Sequence, residues 1–263
     1  LGVCTVADDT TIRAGTSWFG RPPFELPRRE VVEFDRRLTH EPSWIRYGNR
    51  VFWELLRFAL PMTPLLVFVA WFHVLASAKV AAVQMFLPAV VPLVSFGAVC
   101  FLCLLVLALK WTLLGRIRPG QHALWSCWCS RWDFLYVAWS QYAAPSLSKL
   151  EGSLLLSWYL RARGMKLGAR VVLGSGFAQV VDPDMIHIED GATVEATYQA
   201  HTFEDRVLKI DHVHVRRWAT LGSSSVPLYG ADVGERTHVA PHSVIMKRER
   251  LLPGRRYEGA PTR

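Results

Sequence analysis

A segment in the last third of the chain concentrates side chains that are suited to acid–base chemistry. Five of them fall close together, namely His201, Glu204, Asp205, Arg206 and Lys209. A histidine with a pKa near neutrality can deprotonate an amine or hydroxyl group as it attacks a carbonyl carbon. Glu204 or Asp205 could orient the imidazole and stabilise its charged form. Arg206 or Lys209 could bind a carboxylate or phosphate group of a substrate. The segment therefore predicts a site with His201 as general base.

The same residue types also fit a purely structural loop. In that interpretation Glu204, Asp205 and Arg206 form salt bridges with one another, and His201 only supports the chain. The residue types alone leave both interpretations open.

Four further histidines offer an alternative chemistry, metal binding: His212, His214, His238 and His242. His212 and His214 alternate along a predicted strand and share a face, and the spacing from His214 to His238 is a multiple of six. Zinc-dependent carbonic anhydrases with a β-helix take their ligands from neighbouring coils in this way. A solvated face of neutral imidazoles needs no metal, however, so we expect none and keep zinc as the alternative.

A six-residue repeat must position these side chains. Its clearest run is Val215, Leu221, Pro227, Val233, Val239 and Ile245, and shorter runs are Ile188, Val194, Ala200 and Leu167, Leu173. A period of six fits neither a 3.6-residue helix nor simple strand alternation, but it is typical of a solenoid with three short strands per coil. Residues 166–263 are therefore predicted as a left-handed parallel β-helix. Residues 201–211 fit no coil and are expected to form an outgrowth.

Both ends of the chain carry related signals. Val6, Ile12 and Trp18 repeat the six-residue interval, so residues 1–27 are predicted as the last coil of a preceding β-helix, followed by a linker and basic flank at 28–57. The first residue is Leu1 and not Met, which favours a piece of a longer protein. A basic tail is expected after the last repeat, formed by Lys247, Arg248, Arg250, Arg255 and Arg256.

Two uncharged apolar runs predict a transmembrane helical hairpin at residues 58–110. Residues 58–78 contain no Asp, Glu, Lys or Arg, and as a helix they would extend about 31 Å, which matches a bilayer core. The second span is expected at about residues 88–109. Because both outer flanks are rich in arginine and lysine, the positive-inside rule predicts an integral membrane protein with its β-helix in the cytoplasm.

Residues 111–165 are rich in aromatic side chains mixed with basic and apolar residues. Such rings favour the boundary between water and lipid, so this region is predicted as interfacial helices. Packing of the same rings against the hairpin is the alternative.

Composition limits the partners. The formal net charge is +8, and the basic residues flank the apolar runs without forming a nucleic-acid-binding motif, so membrane lipid is the expected partner and nucleic acid is not. The five cysteines imply no disulfide framework, and the spacing of Cys127 and Cys129 is too short for a zinc knuckle.

Three segments resemble the membrane-embedded C-terminal region of the nonribosomal-peptide-synthetase-like poly-amino-acid synthetases, of the ε-poly-lysine synthetase type. These are residues 15–29 (GTSWFGRPPFELPRR), residues 124–126 (LWS) and, above all, residues 201–206 (HTFEDR). The resemblance covers most of the chain. Residues 259–261 (GAP) are also similar to the G-x-P ending of many hexapeptide-repeat acyltransferases.

The resemblance implies an acyltransferase-like condensation module. Adenylation and carrier domains would lie upstream, and tandem β-helix repeats would pack as a trimer or pseudo-trimer. An aminoacyl group held as a thioester on phosphopantetheine of another domain, or on coenzyme A, would pass to an amine to form an amide. The resemblance also favours a catalytic His201. A catalytically inactive membrane-anchoring scaffold repeat and a zinc enzyme of the carbonic anhydrase type are the alternatives.

Overall fold

The computed structural model describes residues 17–19, 24–26, 34–77, 87–177 and 180–263. Strands β1 (Ser17–Phe19) and β2 (Phe24–Leu26) pair antiparallel, with Ser17 opposite Leu26. Most of the coil predicted at residues 1–27 lies outside the described residues, and that assignment stays a prediction.

The first half of the described chain is helical. Its helices are α1 (Arg36–Thr39), α2 (Trp44–Ala59), α3 (Met62–Ser77) and α4 (Leu87–Leu113). The Asp35 carboxylate begins α1 by accepting a hydrogen bond from the backbone N–H of Arg37. Two helical segments, Arg36–Ser77 and Pro88–Leu113, are long and apolar enough to cross a membrane. In the most apolar 18-residue stretch of each segment, the rest of the protein buries only 6% and 11%, respectively. Because protein covers so little of them, they differ from the buried core helices of a soluble domain.

A second helical layer follows α4. It consists of α5 (Cys127–Ala138), a π-helical turn (Trp139–Ala143), α6 (Ala144–Leu147), a 3₁₀ turn (Ser148–Leu150) and α7 (Leu154–Ala162). Ser126 and Ser153 cap α5 and α7, because each hydroxyl accepts a hydrogen bond from a backbone N–H of the first turn.

Several aromatic side chains of this layer pack inwards, whereas Tyr136 and Trp158 are exposed. Trp132, Trp139 and Tyr142 are buried, and the Tyr142 hydroxyl donates to the backbone oxygen of Leu60, 2.7 Å away. The Trp53 ring of α2 meets Phe134 edge-on at 5.4 Å. The sequence left open whether the aromatic rings lie at the lipid boundary or pack against the hairpin, and the rings of Trp132, Trp139 and Tyr142 are packed inside the protein. A position of the layer at a membrane interface stays a prediction.

The last part of the chain forms the β-helix of about five turns. One face contains β4 (Lys166–Leu167), β6 (Ile186–Ile188), β10 (Val213–Val215), β12 (Asp232–Val233) and β15 (Arg250–Leu251). A second contains β5 (Val172–Leu173), β7 (Thr193–Ala196), β11 (Thr220–Pro227), β13 (His238–Val239) and β16 (Arg256–Tyr257), and β14 (Val244–Ile245) pairs with the end of β11.

The strand register confirms the six-residue repeat. Val215 pairs with Val233 and Val233 with Leu251, so one regular coil consists of three repeats. The residues of the clearest predicted run are all buried. The prediction of a basic tail was wrong, because Arg250 and Arg256 lie in strands of the fifth turn, whose inward positions are Leu251 and Tyr257.

The first two coils are longer than three repeats. Leu167 pairs with Ile188, and Ile188 pairs with Val215, so both steps cover more sequence than the regular step from Val215 to Val233. The additional residues of the second coil form a hairpin of β8 (His201–Glu204) and β9 (Val207–Ile210), which is the predicted outgrowth. Strand β3 (Gly120–Ala123), from the chain that leaves α4, pairs antiparallel with β9. The hairpin therefore joins the β-helix to the helical layers.

Candidate functional site

The turn of the β8–β9 hairpin gives two of the predicted site residues, Asp205 and Arg206, a structural role. Asp205 and Arg206 are its two central residues, with φ of 51° and 61°. Positive φ at both positions is the pattern of a type I′ turn, the two-residue connection that matches the twist of paired strands. Arg206 also ties the turn to α1, because its guanidinium donates to the backbone oxygen of Thr39 at 3.3 Å.

His201, at the start of the hairpin, is bound to an aspartate from an earlier part of the β-helix. Its Nδ1 lies 2.5 Å from Oδ2 of Asp182, and Oδ1 of Asp182 accepts a hydrogen bond of 2.6 Å from the indole N–H of Trp132. Asp182 is buried, next to the 3₁₀ turn Pro183–Met185 that leads into β6. The Trp132 ring also packs edge-on against the imidazole at 4.9 Å. Three separate elements thus fix the imidazole in one orientation.

The electrostatics of this pair favour a basic imidazole. Burial by itself lowers the pKa of His201, but the charge of Asp182 and the hydrogen bond to it raise that pKa by more, so the net pKa lies above the usual value. The side chain is 24% exposed, while Asp182 is 1% exposed. Among the residues that the structure describes, no hydrogen bond involves Nε2, so this nitrogen can exchange a proton with an incoming group.

Glu204 and Lys209, two of the predicted site residues, form an ion pair across the hairpin. Lys209 Nζ lies 3.2 Å from Oε2 of Glu204, and the Lys209 side chain is buried. Lys247, from the last part of the β-helix, contacts the other oxygen of Glu204. Glu204 therefore connects the hairpin to a later turn.

The structure thus brings together Glu204 and Lys209 but assigns the carboxylate partner of His201 to Asp182, not to Glu204 or Asp205. The catalytic and substrate-binding roles of the predicted residues stay predictions. Asp182 and Trp132 were missed. The available signal was residues 182–184 (DPD), two aspartates around a proline where the six-residue register breaks.

Further buried charges lie beside Asp182. Nζ of Lys110, near the end of α4, is 2.8 Å from Oδ2 of Asp184, and the two side chains are 0% and 3% exposed. Arg163 is also buried, donates to the backbone oxygen of Val180 at 2.8 Å, and stacks on Trp139 at 3.7 Å. Burial lowers the pKa of Arg163 to about 10. The candidate site is therefore coupled to the end of an apolar helix by charged contacts.

The histidines form a cluster different from the predicted one. His187, His212 and His214 have ring centroids 4.4 to 5.5 Å apart. Burial, helped by electrostatic interactions with His212, Lys166 and His214, lowers the pKa of His187 to about 4, and burial also lowers the pKa of His214. The expected alignment of His238 with His214 was wrong, because their spacing is a multiple of six but not a whole number of coils. His238 pairs with Thr220 and Arg256 on another face.

An open groove of about 690 Å³ runs beside this cluster, between the end of α7 and the first face of the β-helix. His187 and His214 line it together with Arg161, Lys166 and Arg217. Arg216, which also lines the groove, binds Asp232 through two hydrogen bonds of 2.8 Å. This pairing lowers the pKa of Asp232. The groove therefore combines imidazoles with a fixed ion pair and a mainly basic rim, with Glu189 and Asp190 also among its lining residues.

Comparison with known proteins relates the chain to a poly-amino-acid synthetase. It is 30% identical, over 262 residues and 97% of its length, to a delta-poly-L-ornithine synthetase from Acinetobacter baumannii. The chain spans 19% of the length of that relative. This match confirms the resemblance found in the sequence. No protein-family model matches the chain.

Solved structures that resemble the chain are hexapeptide-repeat enzymes. A hexapeptide-repeat-containing acetyltransferase from Vibrio cholerae is 15% identical and aligns over 46% of this chain and 85% of its own, with a TM-score of 0.33. A serine acetyltransferase from Brucella abortus is 16% identical over 60% and 66%, with a TM-score of 0.29. Because these identities and TM-scores are low, the alignments carry no information about activity. The assignment of the fold is based on the strand register instead.

Proposed function

We propose that the chain is an acyltransferase-like condensation module of a membrane-bound poly-amino-acid synthetase, in which His201 acts as general base. The observation that carries this proposal is the bond between His201 and the buried Asp182, on a hairpin that leaves the β-helix. The match to a delta-poly-L-ornithine synthetase supports the class of reaction. Upstream adenylation and carrier domains, and sister β-helix repeats that pack as a trimer or pseudo-trimer, belong to the same proposal.

In this proposal, His201 and Asp182 have separate tasks. A phosphopantetheine or coenzyme A thioester supplies an activated carbonyl, whose carbon bonds to the amine nitrogen as the carbon–sulfur bond breaks. Nε2 of His201 takes the proton from that nitrogen and returns it to the departing sulfur, so the imidazole is neutral again at the end. Asp182 holds Nδ1–H and stabilises the imidazolium that forms in between.

The basic rim of the groove fits the phosphate of such a donor. Lys166 and Arg217 carry positive charge at the opening, and Arg161 donates to the backbone oxygens of Leu167 and Gly168 beside it. Phosphate groups are bound by such clusters of cations. The donor is a carrier-bound group that another domain presents, and Arg206 and Lys209 remain the residues proposed to bind the acceptor.

Helix α2 supports contact with membrane lipid. The large apolar side chains exposed on it include Trp44, Ile45, Phe52, Leu55 and Phe58. On another face, Arg50 and Arg57 bind Asp133 of α5 at 2.5 Å and 3.2 Å. An amphipathic helix anchored in this way can lie in the headgroup region with its apolar face in the acyl chains. We propose that α3 and α4 span the bilayer and that the β-helix lies in the cytoplasm.

A catalytically inactive scaffold is the second candidate, and the packing around His201 favours it. The imidazole bonds to Asp182 and packs on Trp132, contacts that would equally fasten the hairpin to the helical layer. An inactive repeat would keep this pair for stability alone.

Replacement of His201 in the complete protein separates the two functions. We expect His201→Ala and His201→Gln to lower amide formation by about 10²- to 10⁴-fold, the usual contribution of a general base. His238→Ala, at an exposed histidine on another face of the β-helix, is the control and should keep full turnover. Unchanged turnover of a folded His201→Gln protein would exclude the base and leave the scaffold.

A further inference from the structure

We propose that His187, His212 and His214 form a binding site for a divalent transition-metal ion, best suited to Zn²⁺, on the outer face of the β-helix. The site does not include His201, and its test does not depend on the proposed acyl transfer, although His187 and His214 line the groove proposed above for the donor phosphate.

The β-helix register brings the first two ligands together. Strands β6 and β10 are parallel neighbours, and His187 stands directly opposite His214. The residues on either side of each histidine are buried in the core, so strand alternation turns both imidazoles outwards on the same face. Adjacent strands are about 4.8 Å apart, which is the scale of separation needed for two ligands of one ion.

His212 completes the set from the end of the hairpin. It lies between β9 and β10, where the chain returns to the β-helix. One ligand nitrogen from each of the three rings lies within 4.8 Å of the others. Tetrahedral zinc with Zn–N bonds of about 2.1 Å places its nitrogens about 3.4 Å apart. The rings are half-buried, so side-chain rotation can close the remaining distance without moving the strands.

Two ring nitrogens of the cluster are buried without a hydrogen bond. These are Nε2 of His187 and Nδ1 of His212, and neither has a partner among the described residues. A buried polar atom without a partner destabilises the folded state. A metal ion at the centre of the cluster would give both nitrogens a partner.

The surroundings favour a nitrogen-preferring ion. The charged side chains that act on the imidazoles are Lys166 and Arg216, which are balanced by Glu189 and Asp232. Because both of these carboxylates already bind Arg216, a hard ion such as Mg²⁺ or Ca²⁺ gains little, whereas imidazoles suit Zn²⁺, Ni²⁺ and Cu²⁺. His187 and His214 also line the open groove, so a fourth coordination position would face solvent or a substrate.

Cobalt titration of the detergent-purified protein, prepared without a histidine tag, tests the site. We expect one equivalent of Co²⁺ to give the intense visible absorption of a four-coordinate ion, and one equivalent of Zn²⁺ to remove it. His187→Ala and His214→Ala should weaken binding by more than the roughly 10- to 100-fold that loss of an outer-shell partner causes. The control variant His238→Ala should bind as the parent protein does.

Conservative variants keep the result interpretable if the alanine variants do not fold. His187→Asn and His214→Asn retain a polar group on the same face, and their fold can be checked by circular dichroism. Weak or absent binding in folded asparagine variants would support the site. Absence of stoichiometric Co²⁺ uptake by the parent protein, or uptake that survives in these variants, would overturn the proposal.

Discussion

Oδ2 of Asp182 lies 2.5 Å from Nδ1 of His201, although the two residues are 19 positions apart in the sequence. Asp182 directly precedes the 3₁₀ turn that leads into β6, and His201 is the first residue of the hairpin that follows β7. Trp132 of α5 binds the second carboxylate oxygen, so the pair depends on the β-helix and on the helical layer together. The orientation of the imidazole is therefore a property of the whole assembly of elements.

Asp182→Asn should move the pH dependence of turnover to lower pH. His201 must be neutral to accept a proton, so the rate rises as pH passes through its pKa, which Asp182 holds above the usual value. Removing the charge lowers that pKa and shifts the acid limb of kcat/KM downwards. Turnover at the optimum should also fall, by about 10²- to 10⁴-fold. The measurement is kcat/KM against pH for both proteins, and an unshifted acid limb would show that His201 is not the titrating base.

The same pair should stabilise the fold mainly at acidic pH. Because the folded-state pKa of His201 is raised, the folded protein binds its proton more tightly than the unfolded chain does. The stabilisation is complete below the unfolded pKa of about 6.5 and is lost as pH rises through the folded pKa. We expect His201→Gln to reduce Tm more below that unfolded pKa than at alkaline pH, in thermal unfolding of the detergent-solubilised protein. A pH-independent difference would contradict the charge interaction.

The sequence predicts the β-helix well because each coil leaves a local signature, one inward aliphatic side chain every six residues. The partner of His201 could not be predicted from the residues, because it depends on how far the first two coils exceed three repeats. The end of the β-helix was interpreted as a basic tail for a related reason: its inward residues Leu251 and Tyr257 are surrounded by arginines, which look like a solvated tail. Composition also cannot separate an aromatic side chain that faces lipid from one, such as Trp139, that is buried by protein.

Lys110→Met should destabilise the protein strongly. It would leave the carboxylate of Asp184 buried without its partner, and loss of one member of a buried ion pair costs about 3–5 kcal/mol. The double variant Lys110→Met, Asp184→Asn should lose less than the sum of the single variants, because the second change removes the unpaired charge. Thermal unfolding measures the difference.

The ion pair of Arg36 and Glu41 is the matched control for this prediction, because both side chains are mostly exposed. Glu41→Gln should change stability by no more than about 1 kcal/mol. Equal effects of Lys110→Met and Glu41→Gln would mean that the Lys110–Asp184 pair does not form.

Cysteine accessibility should report the orientation of the β-helix. Cys127 is exposed at the start of α5. The proposed topology puts it on the same side of the membrane as the β-helix, because both follow the second apolar span in the sequence. In a protein that keeps only this cysteine, a membrane-impermeant maleimide should label Cys127 in opened vesicles but not in intact cells. Ala82→Cys, between the two apolar helices in the sequence, should be labelled in intact cells. Labelling of Cys127 from outside would reverse the proposed topology.

Gly191→Ala should destabilise the β-helix more than Gly254→Ala, although both glycines have nearly the same positive φ, 69° and 67°. A left-handed backbone conformation costs an L-residue about 1–2 kcal/mol at either position. At Gly191 a Cβ would also overlap the ring of Trp218 in the next coil, whereas at Gly254 nothing lies within 4 Å. Overpacking of this kind adds about 1–3 kcal/mol. In a Trp218→Ala background the overlap disappears and only the backbone cost remains, so the two glycine substitutions should then lower Tm equally. A difference that persists in that background would show that coil stacking at Gly191 is restricted by the backbone and not by the tryptophan ring.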